Sequence, residues 1–268
     1  MADFAVIFDV DGVLLDLTPA EEDAFFDSGA TAGFGIRLSY DSVNRRLFVI
    51  EAFEGTPALA AGIDRGTEIT SIGSSAGGLQ TVAALFAAGG AQAVADALGP
   101  STVGTSRALR IVAEGGATSE ISVTKANYTL TPVSSRYGAK VLLDGGKKVG
   151  YLNLRTFIDT SDPALRSAFA TFKAEGVSEL IVDLRYNGGG LVSVAELLGD
   201  LLGGGRSGQV FGYTAFRPEK AAQNDRQRNF ISQSQTITPS KIAFIGSGGT
   251  ASASELVMNA LRPYLGSN

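Results

Sequence analysis

Ser252 stands at a point in the chain where a nucleophile could be built. It lies in residues 241–255, KIAFIGSGGTASASE, where a β-rich apolar run over 242–245 ends at a glycine-rich turn and a helix is predicted over 253–261. Backbone N–H groups at a helix start are unpaired and the helix dipole is positive there, so an oxyanion formed beside Ser252 would be stabilised. The pattern therefore predicts a serine nucleophile at this turn.

The chain contains no histidine and no cysteine, which excludes several catalytic designs. A Ser-His-Asp triad cannot be built within it, and neither can a thiol nucleophile, a disulfide or a thiolate metal site. A serine nucleophile would need a lysine of lowered pKa as its general base. The alternative is that Ser252 and Ser254 only cap the helix, since serine is common at helix starts.

A second glycine-rich turn favours the catalytic interpretation. In residues 177–202, VSELIVDLRYNGGGLVSVAELLGDLL, a buried strand is followed by Gly188, Gly189 and Gly190 and then by an amphipathic helix. A turn of this kind lets a backbone N–H group point at a substrate carbonyl.

Together, the segments DLRYNGGG and GTASASE resemble the paired signatures of the tail-specific, or C-terminal processing, serine proteases. The resemblance runs from about residue 33 to residue 266 and includes an embedded PDZ-like domain. It implies a serine/lysine dyad with Ser252 as the nucleophile. It also implies an oxyanion hole formed by the N–H groups of Ala253 and of Gly188 or Gly189.

The lysine of this dyad is not found at the expected position. In the family it follows the serine after a further strand, which would fall beyond Asn268, whereas the last lysine in this sequence, Lys241, precedes Ser252. We therefore expect little or no turnover from this chain alone. Glu255 matches an acidic position of the same motif, and we expect it to orient or cap rather than to act as the base.

Residues 28–127 resemble a PDZ-like domain of the kind found in bacterial proteases. Gly33, Phe34, Gly35 and Ile36 match its carboxylate-binding loop, in which successive N–H groups converge on a peptide C-terminus, and the strand over 36–40 would pair with that peptide. The open alternative is a domain that only packs against the catalytic part. Further expected elements are strands over 47–53, 68–72, 107–113 and 121–125, a short helix at Pro57 with Thr56 as its N-cap, and an Ala-rich helix over 81–98 interrupted at Gly89 and Gly90.

Residues 128–268 are expected to form a catalytic domain that is incomplete at its C-terminus. Repeated strand-helix units predict a layered α/β core with at least partly parallel strands, so the chain as a whole has a mixed α/β fold. Both glycine-rich turns then fall at strand ends, where the active residues of such sheets lie. The expected strands are 148–157, 180–184 and a run at Ile242, and the expected helices begin at Asp162, Leu191 and Ala253. Residues 205–239 are expected to be irregular and to form either a mobile substrate-side loop or a surface insertion.

The first 27 residues resemble a different family. The segment DVDGVLLD is similar to the opening of haloacid dehalogenase-type phosphatases, where the residue matching Asp9 is the nucleophile, the one matching Asp11 is the general acid/base, and both help to hold magnesium. The other groups of such a site do not follow, since the resemblance ends before Ser28. We interpret residues 1–27 as a fused fragment without activity; a magnesium-dependent phosphatase is the alternative.

Composition narrows the classes of partner. The chain is 44% hydrophobic and 18% charged with a formal net charge of −5, and it has no basic cluster that would neutralise a run of phosphates. No apolar stretch is long enough to cross a bilayer. The N-terminal residues do not resemble a signal peptide, because acidic residues stand where such a peptide would be basic. Members of the resembled family are nevertheless usually exported to the bacterial periplasm or cell envelope. We expect no cofactor and no metal. The expected function is endopeptidase cleavage near the C-termini of peptides or unfolded proteins; a peptide-binding module without chemistry is the alternative.

Overall fold

The computed structural model describes residues 26–265. These residues divide into two compact units, one of residues 30–130 and one that contains residues 26–29 and 131–265. The phosphatase-like motif with Asp9 and Asp11 lies outside the described residues. In the described part of the chain, no helix combines the length and the apolar character that a membrane span requires.

The unit of residues 30–130 is built mainly of antiparallel strands. Its main sheet has the strand order β2-β3-β4-β6-β7, with β5 paired to β4, while β1 pairs separately with β8. Strand β2 therefore lies at an edge of this sheet. The elements are β1 (Ala30–Gly33), β2 (Ile36–Asp41), β3 (Arg46–Ala52), α1 (Pro57–Ala60), β4 (Glu68–Gly73), β5 (Gln80–Thr81), α2 (Val82–Leu98), β6 (Ser106–Val112), β7 (Thr118–Thr124) and β8 (Ala126–Thr129).

The two helices of this unit begin differently. Helix α2 has Thr81 as its N-cap, with the Thr81 hydroxyl accepting from Ala84 N at 3.2 Å, and it is broken at Gly89 and Gly90 as the sequence predicts. Pro57 begins α1, but the expected side-chain cap from Thr56 is absent. The Thr56 hydroxyl donates instead to Phe53 O at 2.7 Å, which ties the turn to the end of β3.

The unit of residues 131–265 has a parallel α/β core, which confirms the predicted mixed α/β fold. Its four-stranded sheet has the order β14-β11-β10-β9, in which β10, β11 and β14 are parallel and β9 is antiparallel to β10. The elements are β9 (Ala139–Asp144), β10 (Lys147–Asn153), α3 (Ser161–Ala174), β11 (Glu179–Asp183), α4 (Val192–Leu202), β12 (Val210–Thr214), α5 (Pro218–Asn224), β13 (Arg226–Asn229), β14 (Lys241–Ile245) and α6 (Ala253–Leu265).

The register of the parallel strands decides where the glycine-rich turns lie. Asn153, Asp183 and Ile245 are aligned neighbours at the last positions of β10, β11 and β14. Leu184 N then donates to Ile245 O at 2.8 Å, so the chains leaving β11 and β14 are still paired as their turns begin. Both predicted catalytic turns therefore start side by side at one edge of the sheet.

The core of this unit lies between the sheet and its helices. Leu180 and Val182 of β11 point into it, and Phe169 and Phe172 of α3 meet there edge to face with ring centroids 5.6 Å apart. Alternation along the strand and helical spacing along α3 bring these side chains to the same interior.

Two boundaries differ from the prediction. The strand expected over 148–157 ends at Asn153, after which Leu154 and Phe157 make isolated bridges to Val133 and Gly190. Helix α6 continues beyond residue 261 to Leu265, with Pro263 inside its last turn. A proline there removes one helical hydrogen bond close to the end, where the loss does not stop the helix.

The expectation of an irregular stretch over 205–239 is wrong. The segment contains β12, α5 and β13, and its strands form an antiparallel pair. Arg228 anchors it by ion pairs to Glu196 at 3.1 Å and to the buried Asp200 at 2.7 Å, and Ile231 N donates to Asp200 Oδ1 at 2.8 Å. These partners are about 30 residues away on α4, so no local pattern indicates them.

Gly199 offers a test of the packing between α4 and this segment. A Cβ built on Gly199 would lie 2.2 Å from a ring carbon of the buried Phe211. Helix propensity favours Gly199→Ala by ~1 kcal/mol, but overpacking costs ~1–3 kcal/mol, so we expect a net loss of stability. Urea unfolding should show a lower midpoint for Gly199→Ala, while Ser193→Ala, on the exposed side of the same helix, should not lower it. Equal midpoints for the two variants would contradict this packing.

Candidate active site

The two glycine-rich turns are in direct contact at Gly189. A Cβ built on this residue would lie 2.6 Å from the Cβ of Ser252 and 2.9 Å from Ala253 N. Gly189 also has φ +107°, in the region that favours glycine. The site therefore requires glycine for two independent reasons, and Ser252 is packed against the turn that follows β11.

Asn187 holds the two turns together from beneath. Its fully buried side chain donates to Leu154 O at 2.9 Å and accepts from Gly189 N at 3.0 Å. Its backbone carbonyl accepts from Ser254 Oγ at 3.0 Å and from Ala251 N at 3.2 Å. Asn187 had no predicted role, although its place in the DLRYNGGG segment was the available signal.

Hydroxyl groups form a second connection between the turns. Ser247 Oγ accepts from Tyr186 N at 3.0 Å, and Ser247 N donates to Thr250 Oγ1 at 2.9 Å. The Thr250 hydroxyl in turn donates to Leu184 O at 2.8 Å. Each turn thus supplies hydrogen-bond partners to the other, which fixes their relative position.

Ser252 has an unusual backbone for a serine. Its φ is +56°, a conformation that costs a non-glycine residue roughly 1–3 kcal/mol. Its N–H donates to Glu255 Oε2 at 3.0 Å, so Glu255 serves as the capping group. Within residues 26–265 the Ser252 hydroxyl makes no hydrogen bond, and the Ser254 hydroxyl bonds to the other turn, so neither serine caps α6 through its side chain.

The candidate oxyanion donors differ in availability. The N–H of Gly189 is already used by Asn187 Oδ1, whereas the N–H groups of Gly188 and Ala253 donate no hydrogen bond within the described residues. Gly188 is exposed and Ala253 begins α6, next to Ser252. Of the two glycines that the sequence left open, Gly188 is the one with a free donor.

An ionised aspartate lies at the end of β11 beside this site. Asp183 is buried, and Arg185 donates to it through Nη2 at 2.6 Å and Tyr151 through its hydroxyl at 2.7 Å. Burial opposes the charge, yet the hydrogen bonds from Arg185 and Tyr151 hold the pKa of Asp183 below its usual value. Burial, together with the bond to Asp183, raises the pKa of Tyr151 to about 12. The lowered pKa makes Asp183 a weak base whose oxygens already accept hydrogen bonds, and Tyr151 is protonated near neutral pH, so neither is suited to accept a proton from a serine.

Three lysines lie at the end of the sheet where the parallel strands begin, opposite to the end that carries Ser252, so they are too far away to act as its base. Lys241 begins β14, and the four residue steps to Ile245 span ~13 Å. Lys147 and Lys148 begin β10 at the same edge, where they pair with Glu179 at 3.3 Å and with Glu175 at 2.7 Å.

In the candidate carboxylate-binding loop, two carbonyl groups accept hydrogen bonds from neighbouring backbone. Phe34 O accepts from Ala58 N at 3.0 Å and Gly35 O accepts from Phe53 N at 2.9 Å. Within residues 26–265 the N–H groups of Phe34 and Gly35 donate no hydrogen bond. The loop joins Gly33, the last residue of β1, to Ile36, the first residue of the edge strand β2, so unpaired donors lie next to a strand edge.

Lys125 lies behind this loop. Its Nζ is 4.9 Å from the ring centroid of Phe34 and donates to Gly99 O at 2.6 Å and Pro100 O at 2.8 Å, just beyond α2. Burial, and secondarily the charge of Arg107, lowers the pKa of Lys125 to about 8. A cation thus connects the loop with the C-terminal end of α2, where the helix dipole favours positive charge.

A serine on a sharp turn between a parallel strand and a helix, facing backbone N–H groups from a neighbouring turn, is the arrangement of a serine hydrolase site. Comparison with known proteins points to one family. Residues 148–265 match the model of Peptidase family S41. S41 carboxyl-terminal processing proteases are serine peptidases, and the resemblance found in the two glycine-rich motifs is confirmed.

The chain is similar to named relatives along most of its length. Carboxyl-terminal-processing peptidase 2, chloroplastic, of Arabidopsis thaliana is 28% identical over 244 residues, 87% of this chain and 43% of the relative. C-terminal processing peptidase, chloroplastic, of Tetradesmus obliquus is 28% identical over 251 residues, 88% of this chain and 49% of the relative. A solved structure described as an S41 protease from Bacteroides fragilis NCTC 9343 has a TM-score of 0.63 at 25% identity, over 89% of this chain and 64% of that one. The chain spans about half the length of these two peptidases.

Two neighbouring glycines give a matched test of the site. Gly189→Ala places a Cβ against Ser252 at positive φ, so we expect a loss of about 2 kcal/mol or more in stability. Gly188→Ala meets no atom nearer than 4.0 Å and should leave stability nearly unchanged. Thermal unfolding of the two variants measures the difference. Equal melting temperatures would mean that the turns are not packed as described.

Lys125 gives a test by pH. Its pKa is about 8 in the folded chain against 10.5 for a free lysine, so between these values the unfolded chain binds more protons and the lysine's contribution to stability rises with pH. We therefore expect the free energy of unfolding of the wild type, relative to Lys125→Met, to increase from pH 7.5 to pH 9.5. Urea unfolding at the two pH values measures it. A difference that is constant or falls would contradict a desolvated Lys125.

Proposed function

We propose that this protein is a serine endopeptidase of the tail-specific, C-terminal processing class, which cleaves near protein C-termini through an acyl-enzyme on Ser252. The observation that carries the proposal is the geometry of Ser252 itself. Its hydroxyl makes no hydrogen bond within residues 26–265, while the turn that holds it is fixed against Gly189 beside the free N–H groups of Gly188 and Ala253. A strained, rigidly held serine beside unpaired N–H donors is suited to nucleophilic attack.

The proposed reaction has two steps. Ser252 Oγ attacks the scissile carbonyl carbon as its proton passes to a lysine, and the N–H groups of Gly188 and Ala253 stabilise the oxyanion. The C–N bond then breaks, the amine leaves with a proton returned by the lysine, and water hydrolyses the ester formed on Ser252. The resemblance assigns this role to a lysine that follows the serine in the family.

We propose three functional segments. Residues 128–268 form the catalytic domain, residues 28–127 form a PDZ-like domain, and residues 1–27 belong to neither. The compact unit over 30–130, with a free-donor loop beside an edge strand, supports the second assignment. A peptide would add to β2 and present its terminal carboxylate to the N–H groups of the loop over 33–36, near the charge of Lys125.

A peptide-binding module without chemistry is a second candidate. The free N–H groups of Phe34 and Gly35 favour it, because capture of a C-terminus needs no lysine base and no nucleophile.

Active-site labelling tests the protease proposal. In a form of the protein that contains the lysine, a fluorophosphonate should modify the wild type and Ser207→Ala, an exposed serine variant, but not Ser252→Ala. Peptide mapping should place the adduct on Ser252. Labelling that survives Ser252→Ala would remove this residue from the nucleophile role.

Peptide binding tests the carboxylate loop in the chain as given. A peptide with an apolar free-acid C-terminus should bind at least ~10-fold more tightly than its amide, since charge-assisted hydrogen bonds contribute ~1.5–3 kcal/mol each. Gly35→Ala should abolish the difference, because its Cβ would lie 2.2 Å from the Cβ of Thr56, while Gly115→Ala meets open space and should preserve it. Equal affinities for the acid and the amide in the wild type would leave this unit as a scaffold.

A further inference from the structure

Strand β12 runs antiparallel to the helix that begins after Ser252. The Tyr264 hydroxyl, near the C-terminal end of α6, donates to Val210 O at 2.6 Å. Two residues farther along β12, a Cβ built on Gly212 would lie 3.9 Å from a methyl group of Leu256, in the first turns of α6. Another two residues advance the strand by ~6.6 Å, which brings Thr214 level with the start of α6. The C-terminal end of β12 therefore lies beside the turn that holds Ser252.

The contacts of strand β13 with helix α4 show that the hairpin runs toward the same end of the sheet. Arg228 pairs with both Asp200 at 2.7 Å and Glu196 at 3.1 Å, whereas Arg226 pairs with Glu196 at 3.3 Å and, among the described residues, with none farther along α4. Moving backwards along β13 therefore leads toward the start of α4, which directly follows the glycine-rich turn with Gly188. Two sets of contacts, on two different helices, point the same way.

The residues between these strands must extend past the starts of both helices. The hairpin tip, residues 213–225, continues from the end of β12 and returns into β13, whose first residue, Arg226, pairs with Glu196. Phe216 N donates to Asp225 Oδ1 at 2.6 Å, which closes the tip upon itself. Since α4 and α6 begin at the turns that carry Gly188 and Ser252, these contacts direct the tip toward the candidate active site.

The tip carries aromatic side chains without a core to bury them. Tyr213 is 71% exposed and Phe216 is 44% exposed, and α5 contains no buried residue. The base of the same segment, by contrast, is firmly held, with Phe211 and Phe230 in the core. A rigid base with exposed aromatic groups at its tip is typical of a surface that binds another chain.

We propose that the hairpin tip is a wall of the Ser252 site, and that Phe216 contacts an apolar side chain of the polypeptide bound there. The inference rests on the proposed function, since it takes the occupant to be an extended peptide whose scissile carbonyl is held at Ser252. It adds a determinant of cleavage preference that neither glycine-rich motif contains. Peptides with large apolar side chains near the cleaved bond are the expected ligands.

Peptide boronic acids, which add to a serine hydroxyl, test this contact. Affinity should fall about 10-fold in Phe216→Ala for a boronate with a large apolar side chain, as expected when a contact worth ~1.4 kcal/mol is lost. A boronate with an alanine side chain should bind both proteins equally. Leu143→Ala, which truncates a residue 76% exposed at the opposite edge of the sheet, should change neither affinity. Equal affinity of wild type and Phe216→Ala for the large boronate would overturn the proposal.

The same experiment separates this proposal from the nucleophile assignment. Loss of boronate binding in Ser252→Ala together with no effect of Phe216→Ala would support Ser252 as the nucleophile and would disprove the contact with the hairpin tip. If the wild type binds boronates no better than Ser252→Ala, photo-crosslinking tests whether the hairpin tip contacts a bound peptide. With p-benzoylphenylalanine at position 216, an amidated unstructured peptide should be captured more efficiently than with the same group at position 143; equal capture would overturn the wall.

Discussion

The candidate active site depends on the buried amide of Asn187. Its side chain bonds to Leu154 after β10 and to the glycine-rich turn after β11, while its carbonyl bonds to the turn that holds Ser252. The chain following each of three parallel strands is thus joined through one residue. Each of these groups is buried, and leaving one unpaired would cost roughly 1–3 kcal/mol.

This anchoring explains how the chain keeps a serine in a left-handed conformation. The strained turn is held by hydrogen bonds to Asn187 and Leu184 of the neighbouring turn and by the local bond from Ser252 N to Glu255. The sheet register supplies the first of these, because β11 and β14 end at the same level. Strain of ~1–3 kcal/mol is then small beside the packing of the core beneath it. Gly189 completes the arrangement by leaving room for Ser252.

The sequence was informative where local pattern decides structure. Apolar runs predicted β11 and β14, helical spacing predicted α3, and the glycine-rich turns indicated where Ser252 and Gly188 would lie. It failed where distant partners decide. The hairpin over β12 and β13 depends on Arg228 meeting Asp200, and the choice of Gly188 over Gly189 as a donor depends on the side chain of Asn187. Thr56 was expected to cap α1, but a better acceptor, Phe53 O, lies within reach.

In the proposed reaction, Ser252 attacks a carbonyl whose oxygen accepts hydrogen bonds from the N–H groups of Gly188 and Ala253. A crystal structure of the protein with a peptide boronic acid would show whether these groups meet in this way. We expect a covalent bond from Ser252 Oγ to boron and a boronate oxygen about 2.7–3.1 Å from the N atoms of Gly188 and Ala253. An adduct whose oxygens face solvent, or one formed on another residue, would contradict it.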